Sequence, residues 1–395
     1  MFKKIKTMLI ILLGIFSLVA SVRTYVEAAE SVEGNTSAVK RVGVNSKIKV
    51  KFFGNEGKLS FTEKKVNRGQ QLGKFPKISR ANYELKGWYT QEVGGKKVTT
   101  QQIVKNQKHA NYYAHWKVAT IKLDAKKLLF GAKGKQLQLN LNVTPKNADL
   151  SDLKVTSSNP DVVTAETNGQ VTAQNFGKTT IAYTVDGKTA QVEAQVAKKW
   201  VAMTFDDGPW ETTPKLVKGL EKRNEVATFF VVGENIPGKT KLLKRMARNG
   251  YEIDNHTWNH RMNSTDIRGD LAKTDAKLRK AIGKNSLMMR PPGGGLGGNV
   301  KKCGKPIMLW QVDTNDWRDR NTDIVYKRVV NQTRSGDIVL MHDIHATSIP
   351  AALAAYDTLA ERGYAFVTVE QLLGNPKNNK IYYKGSKHVR TMKIQ

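Results

Sequence analysis

The run Trp200-Val-Ala-Met-Thr-Phe-Asp-Asp-Gly-Pro209 decides how the C-terminal half of this chain folds. Trp200 to Met203 is an apolar stretch that reads as a short buried strand. Asp206 and Asp207 follow at once, and Gly208-Pro209 turns the chain. Neighbouring residues of a strand point to opposite sides. The two carboxylates are therefore expected to take different tasks, one holding a metal and the other handling a proton. Downstream come His256-Thr-Trp-Asn-His260, Arg290-Pro-Pro292, Asp316-Trp317 and Leu340-Met-His342. An acid pair, two histidines four apart, an arginine, another acid and a late histidine suit a metal-assisted hydrolase. His256 and His260 share a face if their segment is a helical turn.

Between these blocks, strands alternate with helices. Thr212-Thr213-Pro214 reads as a helix start. Val226 to Val232 and Tyr251 to Asn255 read as buried strands around a basic helix, Thr240 to Asn249. Helices are expected at Asp266 to Ile282, Tyr326 to Gln332 and Ala351 to Arg362. Strands are expected at Met308 to Val312, Asp337 to Met341 and Ala365 to Val369. Such alternation implies an α/β domain with a parallel sheet. Reactive residues at the ends of successive strands favour closure into a barrel.

In this order and spacing the five blocks resemble the polysaccharide deacetylases, the NodB-homology domain of carbohydrate esterase family four. The likeness runs from Lys198 to about Pro376. It implies a distorted, incomplete (β/α) barrel, with one divalent ion on Asp207, His256 and His260. It makes Asp206 the general base oriented by Arg290, and His342 the general acid oriented by Asp316. Leu340 and Trp317 would line an acetyl-sized pocket. His2Asp sites accept zinc, the expected ion, or cobalt, nickel or manganese. The sequence departs from the family at Gly293, where an aromatic residue usually follows Arg-Pro-Pro; the backbone N–H that would hold an oxyanion survives there. The glycine-rich run Gly293–Gly298 has no Gly-Lys-Ser/Thr after it, so it is no phosphate loop, and no Gly-x-Ser-x-Gly elbow marks a serine hydrolase.

Two β modules are expected upstream. In residues 48–118, Ile48, Val50 and Phe52 alternate with lysines, and Gly87-Trp88-Tyr89, Gly94-Gly95 and Tyr112 to Trp116 follow. These positions resemble the Listeria–Bacteroides repeat, a small β-grasp-like module. Its aromatics can stack on sugars, but so small a module needs them for a core. Residues 119–197 carry Leu137, Leu139, Leu141 and Val143 at period two, a turn at Ser157 to Asp161, and hairpin signals at Asn168-Gly169 and Asp186-Gly187. They resemble a bacterial Ig-like module of the second type, a β-sandwich, and carry no chemistry.

The chain has 395 residues, 39% hydrophobic, with a net charge of +31 and one cysteine. Packed cores are within reach, an intramolecular disulfide is excluded, and an anionic partner is expected. Residues 1–28 read as a secretory signal, with a basic start, an apolar run from Met8 to Val22 and small residues up to Ala28; an uncleaved anchor is the other reading. Residues 29–47 read as a linker and 377–395 as a basic, loosely ordered tail. Export points to a secreted or wall-associated protein of a Gram-positive bacterium and away from nucleic acid. The expected reaction is removal of acetyl groups from N-acetylated surface glycan, foremost peptidoglycan N-acetylglucosamine. Chitin-type and poly-N-acetylglucosamine substrates, or an inactive wall-binding protein, are the alternatives. Cys303 is expected to be a packed residue and His345 a structural one.

Overall fold

A computed structural model describes residues 46–105, 109–262 and 264–394. The expected signal segment and nearly all of the expected linker lie outside them. The chain divides into two compact units. Among the described residues, the first takes 46–53, 59–78 and those of 98–112; the second takes 54–58, 79–97 and those of 113–394.

In the first unit, Lys47–Phe53 pairs antiparallel with Glu63–Asn67. Ile48, Val50 and Phe52 are buried and the intervening lysines are not, as the alternation requires. Phe61 and Phe75 stand edge-on to Phe52.

The second unit begins with more β-structure. Trp88, Tyr89 and Trp116 are buried there. The aromatics of this stretch build core rather than an open sugar platform. Gly177–Val185 and Lys188–Val196 form a long hairpin around Asp186-Gly187, both at positive φ. That is the two-residue turn the sequence signals. Gln170–Ala173 pairs with Val163–Ala165 across Asn168-Gly169. The leucine run from 137 to 143 is not one strand. Gln136–Gln138 pairs with Gln170–Thr172, whereas Leu141–Thr144 pairs with Thr120–Leu123. Leu139, 1% exposed, sits where the chain changes sheets. Period two describes both halves but cannot locate that crossing.

A parallel sheet follows. Its strands are β1 (Lys199–Asp206), β2 (Thr228–Val231), β3 (Glu252–Asn255), β4 (Ile307–Met308), β5 (Val312–Asp313), β6 (Ile338–His342) and β7 (Tyr364–Phe366). The order is β3-β2-β1-β6-β5, with β7 also against β1, and every pairing among these is parallel. Beyond β3, Met289 bridges Asn255 to Ile307 in β4. The helices are α1 (Thr213–Arg223), α2 (Thr240–Arg248), α3 (Ile267–Ile282), α4 (Thr322–Gln332), α5 (Ser348–Glu361) and α6 (Val369–Leu373). Asp266 caps α3 by accepting from Gly269 N–H, and Gly283 ends it at φ +81. Leu216, Leu243, Leu278, Val329 and Leu359 bring the helices onto β1, β2 and β6 in one buried cluster. The single strand expected at Met308 to Val312 is instead β4 and β5, parted by a loop through Trp310. The strand expected at Ala365 to Val369 stops at Phe366, and Val369 opens α6.

The C-terminal tail is ordered, against expectation. Ile381–Tyr382 pairs with β4, and Met392–Ile394 adds an antiparallel strand to Lys127–Phe130 of the Ig-like stretch. Its polar composition hid three apolar anchors, Val389, Met392 and Ile394, which join a core with Leu129, Trp200 and Ile338. Lys127 there meets Glu193 and Glu225, each at 3.0 Å. Among the described residues no helix is long and apolar enough to cross a membrane.

Candidate active site

β1 and β6 lie side by side in register, with Asp206 paired to His342. The C-terminal end of the parallel sheet therefore collects both residues from distant sequence. Asp206 is 2% exposed, and Arg290 Nη1 reaches its Oδ1 at 2.7 Å. Arg290 is fully buried; it also donates to Thr204 Oγ1 (2.7 Å) and the Leu309 carbonyl (3.1 Å) and lies over the Phe230 ring. A guanidinium held on so many sides fixes the carboxylate it touches.

Asp207 leaves the strand at φ +75, a conformation rare for residues other than glycine. This turn, more than strand alternation, separates it from Asp206. Its Oδ1 lies 3.3 Å from His256 Nε2 and 3.2 Å from His260 Nε2, yet is buried without a hydrogen-bond partner among the described residues. Burial pushes the Asp207 carboxyl up, but the two imidazoles outweigh it and hold it well below the usual range. His260, paired with Asp207, is raised in turn. His256 is buried, and its Nδ1 lies 2.8 Å from the Arg290 carbonyl. Donation from Nδ1 leaves Nε2 with a lone pair facing Asp207. The segment is not helical. Thr257 and His260 both have positive φ, and this loop geometry, rather than a helical face, brings the rings together at 5.0 Å. The ligand atoms of Asp207, His256 and His260 lie within 4.8 Å of one another, an arrangement that can hold a metal ion. One carboxylate oxygen and two imidazole nitrogens are donors that suit a divalent transition ion, and the orphaned oxygen supports that fit.

On the other wall, His342 Nδ1 lies 2.7 Å from Asp316 Oδ1. The second Asp316 oxygen accepts from His342 N–H (2.8 Å) and Ser348 Oγ (2.6 Å). Asp316 is fully buried at the start of a short helical turn and needs that charge compensated. Burial works against a charged His342, but Asp316, aided by Asp206 and Asp207, raises its pKa to about 9.

An open cavity of about 400 Å³ joins the two walls. Asp206, Asp207, His256, His260, Gly293, Trp317, Leu340 and His342 line it, while Arg290 and Asp316 stand behind their partners. Trp310 and Asp313 line it too, and no motif spacing pointed to them. Gly293 and Gly294 have positive φ, and a Cβ would come within 3.0 Å of Met262 and 2.9 Å of Trp310 respectively. The glycine loop thus passes beneath two large side chains, and Trp310 supplies an aromatic wall despite the absent ring at 293. His345 sits outside the cavity lining, with Arg320 at its Nδ1 (2.6 Å) and its ring 5.6 Å from His342. Cys303 is buried, and burial raises its thiol pKa.

The polysaccharide deacetylase family model matches residues 193–306. A peptidoglycan-N-acetylglucosamine deacetylase of Bacillus cereus is 35% identical over 190 residues, which cover 45% of this chain and 89% of that protein. The chain belongs to the polysaccharide deacetylase family. Residues 117–196 match the bacterial Ig-like domain (group 2), and 49–115 the Listeria-Bacteroides repeat domain. Peptidoglycan-N-acetylglucosamine deacetylase PgdA of Listeria monocytogenes is 36% identical over 193 residues, 47% of this chain and 41% of that protein. Peptidoglycan-N-acetylmuramic acid deacetylase PdaC of Bacillus subtilis is 37% identical over 181 residues, 44% and 39% respectively. The chain thus spans about two fifths of the length of these two relatives. A solved T48 deacetylase with substrate is 36% identical, covering 47% of this chain and 96% of that one, with a TM-score of 0.45.

Proposed function

We propose that the chain is a metal-dependent deacetylase that hydrolyses the acetamide of N-acetylated wall glycan, foremost peptidoglycan N-acetylglucosamine. One observation carries this reading: the Asp207, His256 and His260 donors face the same cavity as the Asp206–Arg290 and His342–Asp316 pairs. A divalent ion, zinc foremost and cobalt, nickel or manganese otherwise, would rest on the three donors and supply Lewis acidity toward water and an amide carbonyl. Asp206 takes the proton from water, with Arg290 fixing the angle at which it does so. The backbone N–H of Gly293 faces the developing oxyanion. His342 delivers the proton that lets the amine leave, and Asp316 keeps that ring charged until then. Trp317 and Leu340 hold the acetyl methyl away from water.

The domain plan belongs to the same proposal. It comprises a signal or anchor to residue 28, a linker to 47, a β-grasp-like repeat over 48–118, an Ig-like sandwich over 119–197 and a deacetylase over 198–376. The continuation of the sheet through Met289 toward β4 favours an incomplete barrel over an open sheet. Export to a Gram-positive wall fits the net charge of +31, which suits anionic wall polymers rather than nucleic acid in that compartment.

The test is acetate release from purified peptidoglycan and from N-acetylchitooligosaccharides, with and without chelator, using the parent and Asp207→Ala. Activity indifferent to both removes the metal mechanism. The B. subtilis relative named for N-acetylmuramic acid makes that sugar the second reading. Mass analysis of digested wall decides which amine is freed.

A further inference from the structure

We propose that Asp343 is a positioning residue that, through Gly208, sets the angle at which Asp207 faces the two imidazoles. The inference rests on the metal reading given above.

Asp343 follows His342 at the end of β6, is fully buried, and points away from the acid–base chemistry toward the turn after β1. Thr213 Oγ1 donates to its Oδ2 at 2.5 Å, and Thr213 Oγ1 also accepts from Trp210 N–H at 2.8 Å. Thr212 Oγ1 donates to the Asp343 carbonyl. Both threonines are thus spent on Asp343 and its surroundings, and neither caps α1 by a side-chain bond as the sequence suggests. The carboxylate closes directly on Gly208. A Cβ there would lie 2.4 Å and 2.5 Å from its two oxygens. No side chain fits between Asp343 and the peptide next to Asp207.

On the same peptide, Asn235 Nδ2 donates to the Asp207 carbonyl at 2.8 Å. The peptide that follows Asp207 is therefore held by both Asn235 and Asp343, while Asp207 itself sits at φ +75. A residue other than glycine keeps such a conformation only where its surroundings impose it. If the carboxylate under Gly208 is removed, the turn can relax toward an ordinary conformation and swing Oδ1 away from His256 and His260. Groups that orient ligands in this way are worth about 10–100-fold in metal affinity.

The experiment titrates zinc into the full chain, freed of metal by chelator, and follows binding by calorimetry. Cobalt absorption reports the ligand geometry, and circular dichroism the fold of each apo protein. Asp343→Ala is expected to raise the zinc Kd about 10–100-fold and to shift the cobalt bands. Asp343→Asn keeps the shape and the acceptor for Thr213, and is expected to restore affinity to within about threefold of the parent. Thr213→Val keeps volume while removing the hydroxyl; it is expected to weaken zinc about tenfold and carries the test should Asp343→Ala not fold. Parent-like affinity and cobalt spectrum in folded Asp343→Ala, or in Thr213→Val, overturn the inference while leaving the metal reading intact. A parent that binds neither ion removes both.

Discussion

Two buried ionic clusters in the second unit solve the same problem in opposite ways. At the contact between the Ig-like stretch and the α/β domain, Lys127 lies 3.0 Å from both Glu193 and Glu225, and Lys178 lies 2.8 Å from Glu225. Burial alone would lower the Lys127 pKa, but the two glutamates outweigh it and raise it. At the mouth of the sheet, Asp207 is mostly buried as well, yet only imidazoles flank its Oδ1. Among the described residues the first cluster holds lysine ammoniums, whereas Asp207 Oδ1 meets imidazoles alone. The first is complete and structural; the second is shaped to take its positive charge from outside.

The sharpest way to break this contrast is to remove the carboxylate that awaits a cation. Asp207→Ala is expected to lower acetate release at least about 10³-fold, because water loses its acidifying partner, while the fold stays intact by circular dichroism. Chelation of the parent should do the same, reversed by zinc or cobalt. His342→Ala tests the opposite wall and should cost about 10²–10⁴-fold in kcat with metal affinity retained. Lys127→Met tests the complete cluster. It leaves half-buried Glu193 without its lysine and buried Glu225 with Lys178 alone, and should cost up to about 3–5 kcal/mol in denaturant unfolding, with little change in activity per folded molecule.

The smallest effect is a shift in a pH profile. On the proposed mechanism His342 acts as an acid and needs its proton. With its pKa raised to about 9, that proton is present through neutrality and is lost as pH climbs past that value. The alkaline limb of kcat is expected there. Asp316→Asn removes the main raising charge and leaves burial, which lowers the pKa, so the limb should move down by at least about one pH unit. A limb that stays in place would show that another group limits the rate.

How much of this was legible beforehand differs between the clusters too. Every expected residue of the mouth, from Asp206 to His342, gathers around one cavity. Their spacing marks the ends of successive parallel strands, and parallel pairing brings those ends together. The Lys127 cluster left no trace in the sequence, since an isolated lysine and two glutamates look like solvated surface. Trp310 escaped notice because it lies in a loop that interrupts an apparently continuous strand. The tail escaped because three apolar residues in a basic segment do not suggest a strand until an open edge is present to receive them.

From sequence alone came the α/β texture, the two β modules, the hairpin at Asp186-Gly187 and the acidic and imidazole side chains that meet at the cavity. Each depends on residue type and short-range periodicity, which the chain carries without reference to distant parts. The tertiary structure alone decided that His256 and His260 meet through a non-helical loop, that Asp343 and Asn235 close on the peptide after Asp207, and that the C-terminal strand returns to the Ig-like stretch. The last two sets of contacts link residues from 28 to more than 260 positions apart, and at such separations only the packed fold determines which groups touch.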